Sequence, residues 1–545
     1  MGHEPTVACD YASCISAERL TDPFPLMPDR QINYRTRLIT LILIASLVRM
    51  LIASSVELGN AEVYYWVYSL KLQWNYFDHP PMVGWLIRLT TINNLLHNEL
   101  SVRIGATLCS ALCTYLIFRI GTLIDNLRTG WYAALLYTAS FYASVAAGAF
   151  ILPDSPQMVF WLAGILILIR LVQSDEPESS QLFKWCCFGL LTGLCIMSKA
   201  HGAFLWLGVA LFALLKRRSW FRHSGIYMSF IITCVVISPI IIWNAQNHFA
   251  TYKFHGSRVL PTKDGIDVLR FMKQLFAVIL IMNPVNFYLT GKSLVLIWKG
   301  KFQQFKNETA IILFCSLPLI AAQLIISFYR VAYPHWPGPA YSSLLLLPAI
   351  MIGSKSDRIG AAIPGSIKFA FGLLIFVFIS QILITNYYPG STSGQEQTID
   401  YGKGDQTLDM FGWQQAAEKF DSLYNADVRN HVMNAGSPIF ITQWNTAAHI
   451  DFYVASKTNQ QTIGIGPLEN IHQYFWINSY RKPLKEGDSG YYLIPSNEFD
   501  FKSFDQIIKH FESHQLALTI PVIRSGAVCK NVYVFWLRGY QRNGK

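Results

Sequence analysis

A small set of ionisable residues sits at the ends of long apolar runs: Glu62 in "NAEVYYW", Asp78 and His79 in "YFDHPP", Asp154 in "LPDSP", Lys199 and His201 in "SKAHG", and Arg330 and His335 in "FYRVAYPHW". A half-buried carboxylate at such a mouth gains proton affinity and can serve as a base or a metal ligand. A lysine supplies a point charge and an arginine a planar fork, both suited to a phosphate group. Each residue also has a plainer role open to it. Asp154 stands where a helix N-terminal cap would, and Lys199 or Arg330 could extend to lipid headgroups. Convergence on one face would separate the two accounts.

What must position them is a membrane bundle. Hydrophobic residues make up 52% of the 545 residues and charged residues only 14%, against roughly 25% charged in soluble domains. Apolar stretches recur near 37–54, 104–124, 131–150, 157–173, 184–198, 202–215, 225–243, 271–290, 309–328, 338–353 and 366–386. Against the ~20 residues that one crossing needs, these predict about eleven spans, and up to about thirteen. The basic loops "YRTR", "LKRRSWFRH" (214–223), "KGKFQQFK" (299–306) and "SKSDRIG" (354–360) alternate with the loops that carry the chemistry. Positive charge favours the cytoplasm, so the N-terminus is expected inside and the ionisable set outside, although "QSDEPESSQ" (173–181) is an acidic inside loop. Lys199 on an outer loop runs against that tendency. The net charge of +11 is largely that of the inside loops, and no basic stripe with interleaved aromatics points to nucleic acid.

The domains expected are a polar tail (1–36) without the apolar core of a cleavable signal, a membrane domain (37–386) with a first outer loop at 55–100, a Gly/Ser/Thr-rich linker (387–410), and a small mixed α/β domain (411–545). In the last, "GWQQAAEKFDSLY" has helical spacing, while "PIFITQW", "GYYLIPS" and "NVYVFWLRGY" read as strands. The first outer loop is crowded with Tyr64, Tyr65, Trp66, Tyr68, Trp74, Tyr76 and Phe77. Such rings mark a membrane interface and also stack on sugars. Pro80-Pro81 forces an extended step that fixes where Asp78 and His79 point.

The order "EVYYW…YFDHPP", "LPDSP", "SK" and "PHWPGPAY" resembles the polyprenyl-phosphate-sugar-dependent glycosyltransferases of the GT-C fold, on the bacterial branch of protein O-mannosyltransferases and lipid A aminoarabinose transferases. The resemblance spans 37 to about 386. It implies an inverting transfer, at the outer face of a bacterial cytoplasmic membrane, from a polyprenyl-phosphate-linked sugar to lipid A, a protein or a glycan. The family's first loop usually opens with Asp-Glu, the aspartate being the favoured base; here the pair is Ala61-Glu62. Glu62 and Asp154 are then the expected catalytic acids. Asp78, His79, Lys199, Arg330, His335, Tyr64 and Tyr65 are the expected substrate contacts, and in some relatives the acid at Asp78 helps to hold a divalent metal. No cofactor is otherwise implied.

The chemistry is consistent with this. Nucleotide sugars are absent outside the cytoplasm, so a transferase there needs a lipid-linked donor, a carboxylate for the acceptor proton and cations for the departing phosphate. A transporter or flippase of lipid-linked sugars is the alternative, but it favours charges at mid-membrane and two similar halves, neither of which is visible. A non-catalytic sugar-lipid binder is kept open by Ala61.

Overall fold

The computed structural model describes residues 33–174, 178–261, 265–354, 362–393 and 398–542. Most of the polar tail, the centre of the acidic loop 173–181 and nearly all of the basic loop 354–360 lie outside them. Among the described residues, seven helices are long and apolar enough to cross a membrane: Tyr34–Ala53, Glu99–Ile124, Asp154–Val172, Ser180–Ser198, Ser224–Gln246, Gln303–Ser327 and Gly365–Tyr387. An eighth is reached if Val268–Met282 and Pro284–Trp298, bent by 99°, form one span. Asn283 makes the bend. It adopts a φ of 71°, Pro284 follows, and its amide donates to the carbonyls of Ala139 and Ala370. Ala200–Leu215 and Gly338–Gly353 are shorter apolar helices.

The chain is thus an integral membrane protein, but the eleven apolar runs do not all form full-length helices. The run at 131–150 is the clearest case. Its helix covers only Leu127–Thr138 and gives way to a π-type turn at Tyr142–Ala146. Asparagines start several elements: the side chains of Asn33, Asn98 and Asn126 accept from Thr36, Ser101 and Thr129 backbone N–H groups, satisfying donors that a helix start leaves open.

The segment expected as the first outer loop (55–100) folds as two helices, Asn60–Leu70 and Met82–Thr90. Residues 62 to 69 of the first are all buried, which hydropathy alone would not predict for an interfacial segment. The two helices cross closely, since a Cβ on Gly84 would lie 2.7 Å from that of Tyr68. What covers this loop is the C-terminal domain, where five strands, β1 (Ile439–Ile441), β2 (Thr462–Gly464), β3 (Gly490–Pro495), β4 (Phe511–Arg524) and β5 (Ala527–Tyr540), form one sheet in the order β2-β1-β3-β5-β4. β2 and β4 went unrecognised in the sequence; β1, β3, β5 and the helix Trp413–Arg429 match the predicted segments.

One apolar core joins the loop to this domain and includes Tyr64, Trp66, Tyr68, Trp413, Phe420, Phe452 and Tyr474. Polar contacts pin it: Leu58 N–H donates to the Tyr453 hydroxyl, Asn60 N–H to Asp409, and Phe77 N–H to Gln473 Oε1. The expected linker is also tied down. Arg524, fully buried, donates to the Gly390 carbonyl and to Asp405, which accepts from Thr392 N–H.

Glu57, on the membrane domain, caps the helix Trp413–Arg429 by accepting from the N–H groups of Trp413 and Gln414 at 2.8 and 2.9 Å. Glu57→Ala should weaken the docking by about 1–2 kcal/mol. Limited proteolysis should then cut faster within 387–410 than in the parent protein.

Candidate functional site

The helix Asp154–Val172 begins at its acid, and the helix ending at Ser198 delivers Lys199 to the same place. Lys199 Nζ lies 2.8 Å from Asp154 Oδ2 in a pair whose side chains are almost wholly buried. Asp154 Oδ1 accepts from the Tyr142 hydroxyl at 3.0 Å. Tyr142 comes from the π-type turn, so the interruption of the run at 131–150 has a use. Its ring packs on Gly338, where a Cβ would fall 2.1 Å from the ring carbons.

The Pro-Pro step brings a second pair alongside. Asp78 Oδ2 lies 3.3 Å from His79 Nδ1, and Asp78 Oδ1 accepts from the hydroxyls of Tyr64, at 3.2 Å, and Tyr68. Burial would raise the Asp78 carboxyl, but attraction to His79 and His472 and these hydrogen bonds outweigh it and hold the group well below the usual carboxylate range. Tyr65 links the pairs. Its ring meets that of His79 edge-on at 5.4 Å, and its hydroxyl, pushed well above its ordinary value by burial, feels both Asp78 and Asp154.

His335 completes the cluster. Burial first, then the charges of Lys199 and His79, pull its imidazole down to about 4 against the opposing pull of Asp154. It is therefore a neutral donor-acceptor at pH 7. From the segment 244–270, His255 Nε2 approaches the Asp78 carbonyl at 2.6 Å, and Arg258 packs on the Phe254 ring. His472 of the C-terminal domain stacks on Trp444 beside Tyr64.

Of the residues expected from sequence, Asp78, His79, Asp154, Lys199, His335, Tyr64 and Tyr65 thus gather in one place. Glu62 engages a different partner. Its Oε1 accepts from Arg103 Nε and Ile151 N–H, its Oε2 from Arg103 Nη2 and Gly59 N–H, and it is 2% exposed. Arg330 holds the carbonyl of Leu260 through its Nε. His255, Arg258, His472, Tyr142 and Arg103 went unnamed as candidates, and Tyr68 was singled out only among the loop aromatics; of the unnamed residues only Arg103 carried a signal, as a cation against the edge of an apolar run. Among the described residues, no three His, Cys, Asp or Glu side chains are grouped as metal ligands.

The family model described as Dolichyl-phosphate-mannose-protein mannosyltransferase matches residues 78–243, from Asp78 through Asp154 and Lys199. The crystal structure of ArnT from Cupriavidus metallidurans superposes with a TM-score of 0.58 over 92% of this chain and 98% of that one, at 12% identity. The chain therefore shares the fold of that structure. Among curated relatives, the lipid A galacturonosyltransferase RgtD of Rhizobium johnstonii is 22% identical over 60% of this chain and 67% of its own length. The undecaprenyl phosphate-alpha-4-amino-4-deoxy-L-arabinose arabinosyl transferase of Pectobacterium carotovorum is 28% identical over 25% of this chain and 24% of its own.

Two outcomes follow from the geometry. Glu62→Gln leaves Arg103 buried without its counter-charge and should lower unfolding stability by about 3 kcal/mol, read as a fall in the thermal midpoint. His335 binds its proton less readily folded than unfolded, so stability should drop as pH falls from about 6.5 towards 4. His335→Gln should flatten that part of a midpoint-against-pH curve.

Proposed function

We propose that this GT-C enzyme transfers a sugar, with inversion, from a polyprenyl-phosphate donor to an acceptor hydroxyl or phosphate at the outer face of a bacterial cytoplasmic membrane, with the C-terminal domain in the periplasm. The observation that carries it is the meeting of two acid-base pairs, Asp154–Lys199 and Asp78–His79, at the mouth of the bundle. The basic turn supports this orientation, because Arg217 reaches the carbonyls of Leu171 and Val172 at the end of the Asp154 helix remote from the site. The donor class is favoured by the Cupriavidus protein, also solved bound to undecaprenyl phosphate. Lipid A is the favoured acceptor because it appears in the name of the Rhizobium relative.

In this scheme the acceptor oxygen attacks the anomeric carbon as the bond from that carbon to the phosphate oxygen breaks. Asp154, oriented by Tyr142 and Lys199, keeps a second lone pair on each oxygen and takes the acceptor proton. Lys199 and His79 face the negative charge that grows on the leaving phosphate, with neutral His335 as a hydrogen-bond partner. Asp78, with its carboxyl held low, stays anionic and steadies His79 and the positive charge developing on the sugar. Tyr64 and Tyr65 form the wall against which the sugar packs. The base role foreseen for Glu62 passes to Asp154, because Glu62 already accepts four hydrogen bonds. Arg330, whose Nε donates to the Leu260 carbonyl, tethers the 250–261 segment in this scheme and keeps its Nη groups for a phosphate.

Should a divalent metal take part, Asp78 and His79 are the side chains at hand, with no third His, Cys, Asp or Glu grouped with them among the described residues. Such an ion would add charge beside the donor phosphate.

Asp154→Asn, corrected for folded protein, should lower the turnover of sugar transfer from a polyprenyl-phosphate donor in detergent by about 10²–10⁴-fold. Glu62→Gln, corrected for folded protein, should retain it. Wild-type turnover in Asp154→Asn would overturn the assignment of the base.

A further inference from the structure

A cavity of about 200 Å³ lies at the seam between the first outer loop and the C-terminal domain, lined by Lys71, Gln73, Tyr76, Gln473, Tyr480 and Arg481 with three aliphatic side chains. No carboxylate lines it. Its polar groups are mostly donors, and two of them are unused. Gln473 is 1% exposed; its Oε1 accepts from Phe77 N–H, and its Nε2 has no partner among the described residues. The Nη1 of Arg481 is likewise without a partner, while its Nη2 is paired with Asp451 at 2.6 Å. A buried amide N–H left open is costly unless something fills the place. Lys71 Nζ sits 3.3 Å above the Tyr480 ring and has no carboxylate partner among the described residues, so the cavity carries uncompensated positive charge.

The volume is below the roughly 300–1,000 Å³ of a pocket that encloses a whole drug-sized ligand, which suits one substituent of something larger. The position says of what. Gln473 holds Phe77, the residue before Asp78, and its N–H donates to the Tyr64 hydroxyl, itself bonded to Asp78. Tyr76 lines the cavity and stacks on Tyr68, the other hydroxyl on Asp78. The cavity is therefore one side-chain contact removed from Asp78, on the side of the soluble domain.

We infer that this cavity is an anion subsite that seats a phosphate or carboxylate substituent of the acceptor while its hydroxyl reaches the cluster. This rests on the transfer reaction proposed above and goes beyond it in assigning the C-terminal domain a part in acceptor choice. Lys71, Gln473 and Arg481 are its binding residues.

The test uses the full chain in phosphate-free detergent, titrated with inorganic phosphate and followed by the thermal unfolding midpoint. Wild type should show saturable stabilisation. Lys71→Gln and the isosteric Gln473→Glu, which keeps the acceptor for Phe77 N–H, should each weaken the phosphate affinity by about tenfold, the scale of one charge-assisted hydrogen bond. A second arm compares lipid A with and without its phosphates as acceptor. Removing them should raise the acceptor KM of wild type but not that of Lys71→Gln, with the donor KM unchanged in both, which distinguishes an acceptor group from free phosphate. Phosphate stabilisation equal in wild type and both variants would place the anion elsewhere and overturn the subsite, whatever the transfer assay gives. Lack of transfer by wild type with the variant-sensitive phosphate effect intact would count against the reaction and leave the anion subsite standing as a site for free phosphate.

Discussion

A carboxylate buried beside a membrane must be paired, and the pairing of Glu62 with Arg103 is the constraint on which the face bearing the acid-base cluster is built. The guanidinium joins more than the acid: it also donates to the carbonyls of Ala53, Val56 and Glu57 at the end of the first span. Glu62 in turn takes the N–H groups of Gly59 and Ile151. One ion pair thus fixes the exit of the first span, the start of the first outer loop and the approach to Asp154, three residues after Ile151. Arginine suits this place because its planar fork makes several hydrogen bonds from a single buried charge.

With that frame held, the cluster can carry charges that would otherwise be expelled. Asp154 is paired with Lys199 and Asp78 with His79, so burial of the acids is tolerable, and both contacts can be reorganised by an entering phosphate. The aromatic shell works in the same direction. Tyr142, Tyr64 and Tyr68 hold both acids by hydroxyl donation, and Gly338 lets the Tyr142 ring lie against the backbone. The C-terminal domain closes the far side through His472 and Gln473, which makes it a wall of the site.

Much of this was legible in the chain. The acids, the Pro-Pro step, Lys199 and His335 lie at the ends of apolar runs, and hydropathy alone brings such ends together. What stayed hidden has physical reasons. Glu62 and Arg103 are 41 residues apart on different elements, so nothing local announces that the acid is already engaged. His255 and Arg258 lie on a polar segment without hydropathic signature. Gln473 meets Phe77 across 396 positions, a contact fixed only when the sheet domain docks. The break at Asn283 and the π-type turn at 142–146 are backbone events inside apolar sequence, which is why eleven runs do not map onto eleven full-length helices.

The measurement that bears most directly on the account is a structure of the full chain with a polyprenyl phosphate bound. The phosphate is expected within hydrogen-bond distance of Lys199 Nζ and on the His79 side of Asp154. A phosphate seated instead at the end of the bundle bearing Arg217, or against Arg330 with Lys199 still closed on Asp154, would contradict it.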